Sequence, residues 1–123
     1  MRYITDRKRA VGRGASGTGT EHHWHMQVSA VALAILTPVF VFGFGATLGK
    51  DYDQVRAFFG NPFWAIWTAL FLVVSMRHFA AGATMMIEDY WRGTLRKGLI
   101  ITVISLSWLV SAVGLFALVK MAL

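Results

Sequence analysis

The residues best equipped for chemistry lie in one stretch, RHFAAGATMMIEDYW, from Arg77 to Trp91. The imidazole of His78 can hydrogen-bond a serine or a backbone carbonyl on a neighbouring helix, or it can ligate haem iron through a neutral ring nitrogen. Tyr90 can donate its hydroxyl to a carbonyl of a small apolar ligand, with Asp89 beside it to tune that hydroxyl or to relay protons. The other reading of EDYW is a set of interfacial residues, its acids balanced by Arg92 and its rings forming part of an aromatic belt. Arg77 can pair with an acid on a partner helix, with a haem propionate or with backbone carbonyls, or it can snorkel toward an interface.

Helical geometry divides these groups. From His78 to Asp89 a helix turns by about 1100°, three turns plus roughly 20°, so the two share a face about 16 Å apart along the axis. That face reads Phe71, Ser75, His78, Gly82, Met85, Asp89. The separation is too long for a catalytic dyad, which needs contact near about 3 Å. Two sites are therefore expected, one at His78 within the helix and one at Asp89 and Tyr90 at its end. Gly82, one turn from His78, would let a flat macrocycle approach the backbone. Arg77 is turned by about 100° from His78 and need not share its surroundings.

The element that carries these residues is apolar. Of the 123 residues 56% are hydrophobic and 15% charged, which disfavours a soluble domain. Three runs, about 24–48, 63–90 and 98–121, are long enough for a hydrocarbon core of about 30 Å, and helices satisfy the backbone there. The expectation is an all-α membrane protein with three transmembrane helices, packed with further membrane helices into a larger bundle. Residues 1–23 read as a polar, basic, disordered tail ahead of a domain covering 24–123. The first run begins as a spanning helix and not as a signal peptide.

Other features are read as structural. Pro38 removes one backbone donor and is expected to kink the first span, while Gly43 and Gly45 permit close packing. The segment after it places Tyr52, Val55 and Phe59 on one side of a short surface helix closed by Gly60-Asn61-Pro62. Gly98, Ser105, Ser107, Ser111 and Gly114 form one or two small-residue seams in the last span, and Trp24, Trp64 and Trp91 mark depth. His22, His23 and His25 lack a completing ligand and read as a polar headgroup cluster. The absence of cysteine excludes a disulfide or a thiolate-held cluster within this chain.

The net charge of +6 would invite a nucleic-acid partner on a soluble protein. Here the basic residues flank spans: Arg2, Arg7, Lys8, Arg9 and Arg13 precede the first, and Arg92, Arg96 and Lys97 separate the second from the third. The positive-inside rule puts the N-terminus in the cytoplasm and the C-terminus outside. The expected charged partner is membrane lipid, with no nucleic acid.

His78, Gly82 and Asp89-Tyr90, on the second of three spans behind a cytoplasmic N-terminus, resemble the hydrophobic membrane anchor subunit of succinate dehydrogenase. The motifs are H-x3-G and H-x10-D-Y, and HHWH before Val28, Ser29 and Ala30 is similar to the alphaproteobacterial form. Met26 and Gln27 stand where that form commonly has a Gln-Arg pair. The resemblance implies that His78 is an axial ligand of haem b iron, shared with a second cytochrome b anchor subunit. It implies that Tyr90 donates to ubiquinone and that Asp89 supports it. It further implies a flavoprotein subunit with FAD and an iron-sulfur subunit that pass electrons from succinate to ubiquinone, at a bacterial inner membrane, and no succinate site in this chain. Two alternatives stay open: a haem-containing fumarate reductase anchor, and a small helical transporter in which Arg77 and His78 line a substrate or proton path.

Overall fold

A computed structural model describes residues 5–12 and 19–123; the parts of the basic tail at 1–4 and 13–18 lie outside them. Among the described residues the chain is all-helical, with α1 (Asp6–Gly12), α2 (Gly19–Gly45), α3 (Tyr52–Gly60), α4 (Pro62–Tyr90) and α5 (Gly93–Ala122). Helices α2, α4 and α5 are long and apolar enough to cross a membrane. The protein is an all-α membrane protein with three spans. α2 starts ahead of the apolar run, because Glu21-His22-His23 can continue a helix as well as apolar residues can. α1 is a short helical turn within the basic tail.

Local chemistry sets the ends of the central helix. Asn61 caps α4 through its side-chain oxygen, which accepts from Phe63 N–H at 3.0 Å, and Pro62 occupies the first turn, where no donor is needed. At the other end Trp91 and Arg92 are extended, and Gly93 turns the chain at φ 65° into α5. Asp51 caps α3 by accepting from Gln54 N–H at 2.8 Å, and Phe59 is buried. α3 thus lies against α4 and α5 as a short amphipathic helix.

α4 is the middle of the arrangement: α2 and α5 each pack on it and not on each other. The α4–α5 seam is the one predicted for small residues. Ser107, Ser111 and Leu118 are buried, and Gly114 fits against Leu72 so closely that a Cβ there would overlap it. Both serine hydroxyls donate within α5, to Val103 O and Ser107 O at 2.8 Å, and cost the seam no unpaired polar group. On the other side the Phe40 and Phe71 rings stack at 4.2 Å, and Trp67 Nε1–H donates to Leu36 O at 3.2 Å, two residues before Pro38. Gly43 receives the Trp64 ring, whereas Gly45 faces open space. Trp64 is therefore a packing residue of the α2–α4 pair, stacked in turn on Phe58 at 4.6 Å.

Gly43→Ala is expected to destabilise the α2–α4 pair by about 1–3 kcal/mol, the usual cost of overpacking, because the rigid indole cannot move aside locally. Thermal unfolding of the detergent-solubilised protein reads this out, with Gly45→Ala as the neutral control. Equal behaviour of the two variants would contradict the packing described. Among the described residues only Phe59, Ile87 and Leu118 of the apolar side chains are buried, so most of the spanning surface is left for lipid or for other helices.

Candidate functional site

His78 is half-buried where α4 meets α2. Its Nδ1 lies 2.8 Å from Ser29 Oγ on α2. The same Oγ is 2.9 Å from His25 O and 3.0 Å from Met26 O, the carbonyls four and three residues back in its own helix. These distances suit the tautomer in which Ser29 donates its one proton to a carbonyl of its own helix and accepts from Nδ1–H of His78, an arrangement that satisfies all the groups present. In the neutral ring Nε2 then carries the lone pair, and it has no hydrogen-bond partner among the described residues. Such a nitrogen can accept a proton or ligate a metal, with the serine holding the ring as second-sphere partners do. Of the two partners expected from sequence, the structure pairs His78 with a serine.

His78 lines a groove of about 410 Å³ on the α2–α4 face, together with His22, His23, Met26, Gln27 and Met85. Gly82 keeps this face low, since a Cβ there would meet only Met26 Cε at 3.8 Å. Sequence reasoning brought His78, Gly82 and Met85 together correctly on one face. It named Ser29 but gave it no partner, and the signal available was its position four residues after His25 on a continuous helix. No group of three or more His, Cys, Asp or Glu able to hold a bare metal ion exists among the described residues. A ligand held by His78 would be one that supplies most of its own coordination.

At the end of α4, Asp89 and Tyr90 are exposed, Tyr90 at 77%, with its ring edge-to-face on Trp91 at 6.2 Å. Glu88 is paired, and the pairing differs from expectation: its partner is Arg96, at 2.7 Å, and not Arg92. Arg92 sits in the extended link, while the turn at Gly93 brings the first turn of α5 back over Glu88. Glu88 and Arg96 thus brace the turn, and Asp89 has no ion pair among the described residues. The carboxylate next to Tyr90 is the one left available.

Arg77 faces away from the His78 groove, with its guanidinium carbon 5.7 Å from the centre of the Trp108 ring on α5. It lines other grooves, with His25 and Ser29 in one and His22, His25 and Trp108 in another.

The sequence profile of the succinate dehydrogenase/fumarate reductase transmembrane subunit matches residues 1–117. The chain belongs to that family. The succinate dehydrogenase hydrophobic membrane anchor subunit of Paracoccus denitrificans is 48% identical over 123 residues, covering 100% of this chain and 95% of the relative. No solved structure matches. Membership in the transmembrane-subunit family accounts for three spans with little buried core, because an anchor's spans are completed by other chains of its complex. It also disposes of the transporter reading.

Proposed function

We propose that this chain is the small membrane anchor of a succinate:ubiquinone oxidoreductase, supplying one axial ligand to a haem b and one wall of the ubiquinone-reduction site. The observation that carries the reading is the 2.8 Å hydrogen bond between Ser29 Oγ and Nδ1 of His78, which leaves Nε2 as the ring nitrogen free to ligate beside the open face at Gly82. This donor set fits haem: one neutral imidazole, fixed by a second-sphere partner, above a groove with room for a flat ring. When bound, haem supplies a one-electron store between the membrane subunits. His78 holds it from this side and Ser29 keeps the imidazole turned toward it. A further ligand to the haem would be supplied by the second cytochrome b anchor, which would then cover the α2–α4 face.

At the end of α4, Tyr90 orients the quinone by donating to a carbonyl oxygen. Asp89, exposed and unpaired, supports that hydroxyl and passes protons from water as the quinone is reduced. The cytoplasmic side suits this work, because electrons arrive there from the iron-sulfur subunit, which receives them from FAD in the flavoprotein. Succinate binds to the flavoprotein and not to this chain. The reading places the N-terminus in the cytoplasm and the C-terminus in the periplasm of a bacterial inner membrane. His78 favours a haem-containing succinate dehydrogenase over fumarate reductase anchors that lack haem.

Isolation in mild detergent tests the assignment: a flavoprotein, an iron-sulfur protein and a second anchor should co-purify, and recovery without them would refute it. Within the complex, Ser29→Ala is expected to weaken haem retention about 10-fold, the low end for a second-sphere partner of a metal-ligating histidine. Ser29→Thr should restore it. Haem per complex, from the pyridine haemochrome spectrum, is the measurement, and unchanged retention in Ser29→Ala would remove the serine from the site.

A further inference from the structure

Arg77 plays no part in that reading, and its surroundings ask for a ligand of their own. α2 and α5 pack on α4 but not on each other, so a notch remains between them above α4. His22 and His25 of α2, Arg77 and Thr84 of α4, and Trp108 of α5 line a space of about 280 Å³ there. Ala80 and Ala81 form its floor, so an occupant can come close to the α4 backbone. Two imidazoles and a guanidinium converge and no carboxylate lines the notch. Arg77 itself has no ion pair among the described residues. The Trp108 ring beneath its guanidinium holds the group in place by cation–π attraction without neutralising it.

An arginine set this far into a span needs a counter-charge. Arg77 is about 20 Å along the axis from Tyr90 in a 29-residue helix. Charged groups at membrane depth pair with one another or face polar cavities, because an unpaired charge there is costly. The notch is too small to seat another helix, whose diameter is about 10–12 Å. It suits a compact anion whose remainder is apolar and can lie along the Ile104 and Trp108 side of α5. The donors also match: a guanidinium presents a planar fork to phosphate oxygens, and two imidazoles at the α2 end add hydrogen bonds.

We propose that this notch binds the phosphate of an anionic phospholipid, clamped by Arg77 with His22 and His25 and wedged between α2 and α5. The lipid would close the gap that the helices leave and act as a packing element on the α5 side of α4, with His22 standing between it and the His78 groove. This assignment stands apart from the haem and quinone roles, and its failure would leave them untouched.

The test uses the whole purified complex in nanodiscs of phosphatidylcholine doped with phosphatidylglycerol carrying a photo-crosslinker near its headgroup. Adducts on the wild-type chain are expected on peptides covering residues 77–84 and 104–108. Unlabelled phosphatidylglycerol should suppress them about tenfold, while added phosphatidylcholine or inorganic phosphate should not. Arg77→Gln should lower adduct yield about tenfold, the loss expected for a charge-assisted phosphate contact, whereas Arg56→Gln on α3 should leave it unchanged. If Arg77→Gln does not assemble, the wild-type competition and His25→Gln, expected to lower the yield by a smaller factor, still decide the matter. Wild-type adducts absent from these peptides, equal suppression by phosphatidylcholine, or full yield in Arg77→Gln would overturn the proposal. Displacement by inorganic phosphate would make it a free-anion site instead. Loss of the second anchor chain from Arg77→Gln, with no wild-type adduct, would mean that the arginine pairs with a partner carboxylate.

Discussion

His78→Ala is expected to abolish the b-type haem bands in the reduced-minus-oxidised spectrum of the assembled complex. The effect should be large because, of the histidines that line the groove, His22, His23 and His78, only His78 is held by a serine hydroxyl among the described residues. Alanine also removes the partner of Ser29, whose hydroxyl then keeps only its bonds to His25 O and Met26 O. The protein loses a ligand without gaining an unsatisfied donor, so the chain should still fold and insert. Immunodetection of all subunits at normal level, with the haem bands gone, is the predicted pair of results. Haem bands that survive unchanged would eliminate His78 as the ligand. If haem and subunits disappear together, His78→Gln, which retains a polar side chain beside Ser29, distinguishes lost ligation from lost packing.

The second large effect is at Tyr90. Tyr90→Phe removes one hydroxyl from an exposed ring and leaves the ring's contact with Trp91, so the turn between α4 and α5 should keep its shape. Ubiquinone reduction is expected to fall about tenfold, equivalent to a hydrogen bond of roughly 1.4 kcal/mol to the reacting quinone. Reduction of an artificial dye by the soluble subunits should persist. Parallel loss of both activities would indicate failed assembly and would sink the assignment of the hydroxyl. Asp89→Asn should act on the same step, lowering quinone turnover more than haem content. The Glu88–Arg96 pair provides the internal control: Glu88→Gln alters the brace and not the free carboxylate, and should reduce quinone turnover less than Asp89→Asn.

These assignments show what the residues alone disclose. The three spans are plain in the sequence because continuous apolar runs report the solvent a helix must meet, whatever its partners. The same runs say nothing about where helices end in water, so α2 begins at Gly19, earlier than the run at Trp24. The stripe from Phe71 to Asp89 is legible because helical rotation is fixed. Contacts between helices are not, because they depend on which faces meet. Ser29 and His78 are far apart in sequence, and no periodicity links them. Trp64 reads as an interfacial ring until Gly43 is seen to receive it. Glu88 illustrates a third limit, since the nearest arginine in sequence is directed away by the extended link and a more distant one is folded back. Haem is one of two readings that His78 leaves open, and quinone as the ligand of Tyr90 rests on likeness to a family and not on spacing.

Arg77 and His78 are neighbours in sequence, yet they look into different grooves on α4, and this limits how the gene can change. Inserting or deleting one residue between Trp67 and Arg77 would rotate everything beyond it by about 100° relative to the part of α4 locked against α2. Arg77 or Phe79 would then turn toward Ser29 in place of the imidazole. A length change of similar size at Lys50, in the link before α3, shifts no face of α4. Natural variation in chain length should therefore collect in that link and spare the first half of α4, even where the composition of the helix drifts freely.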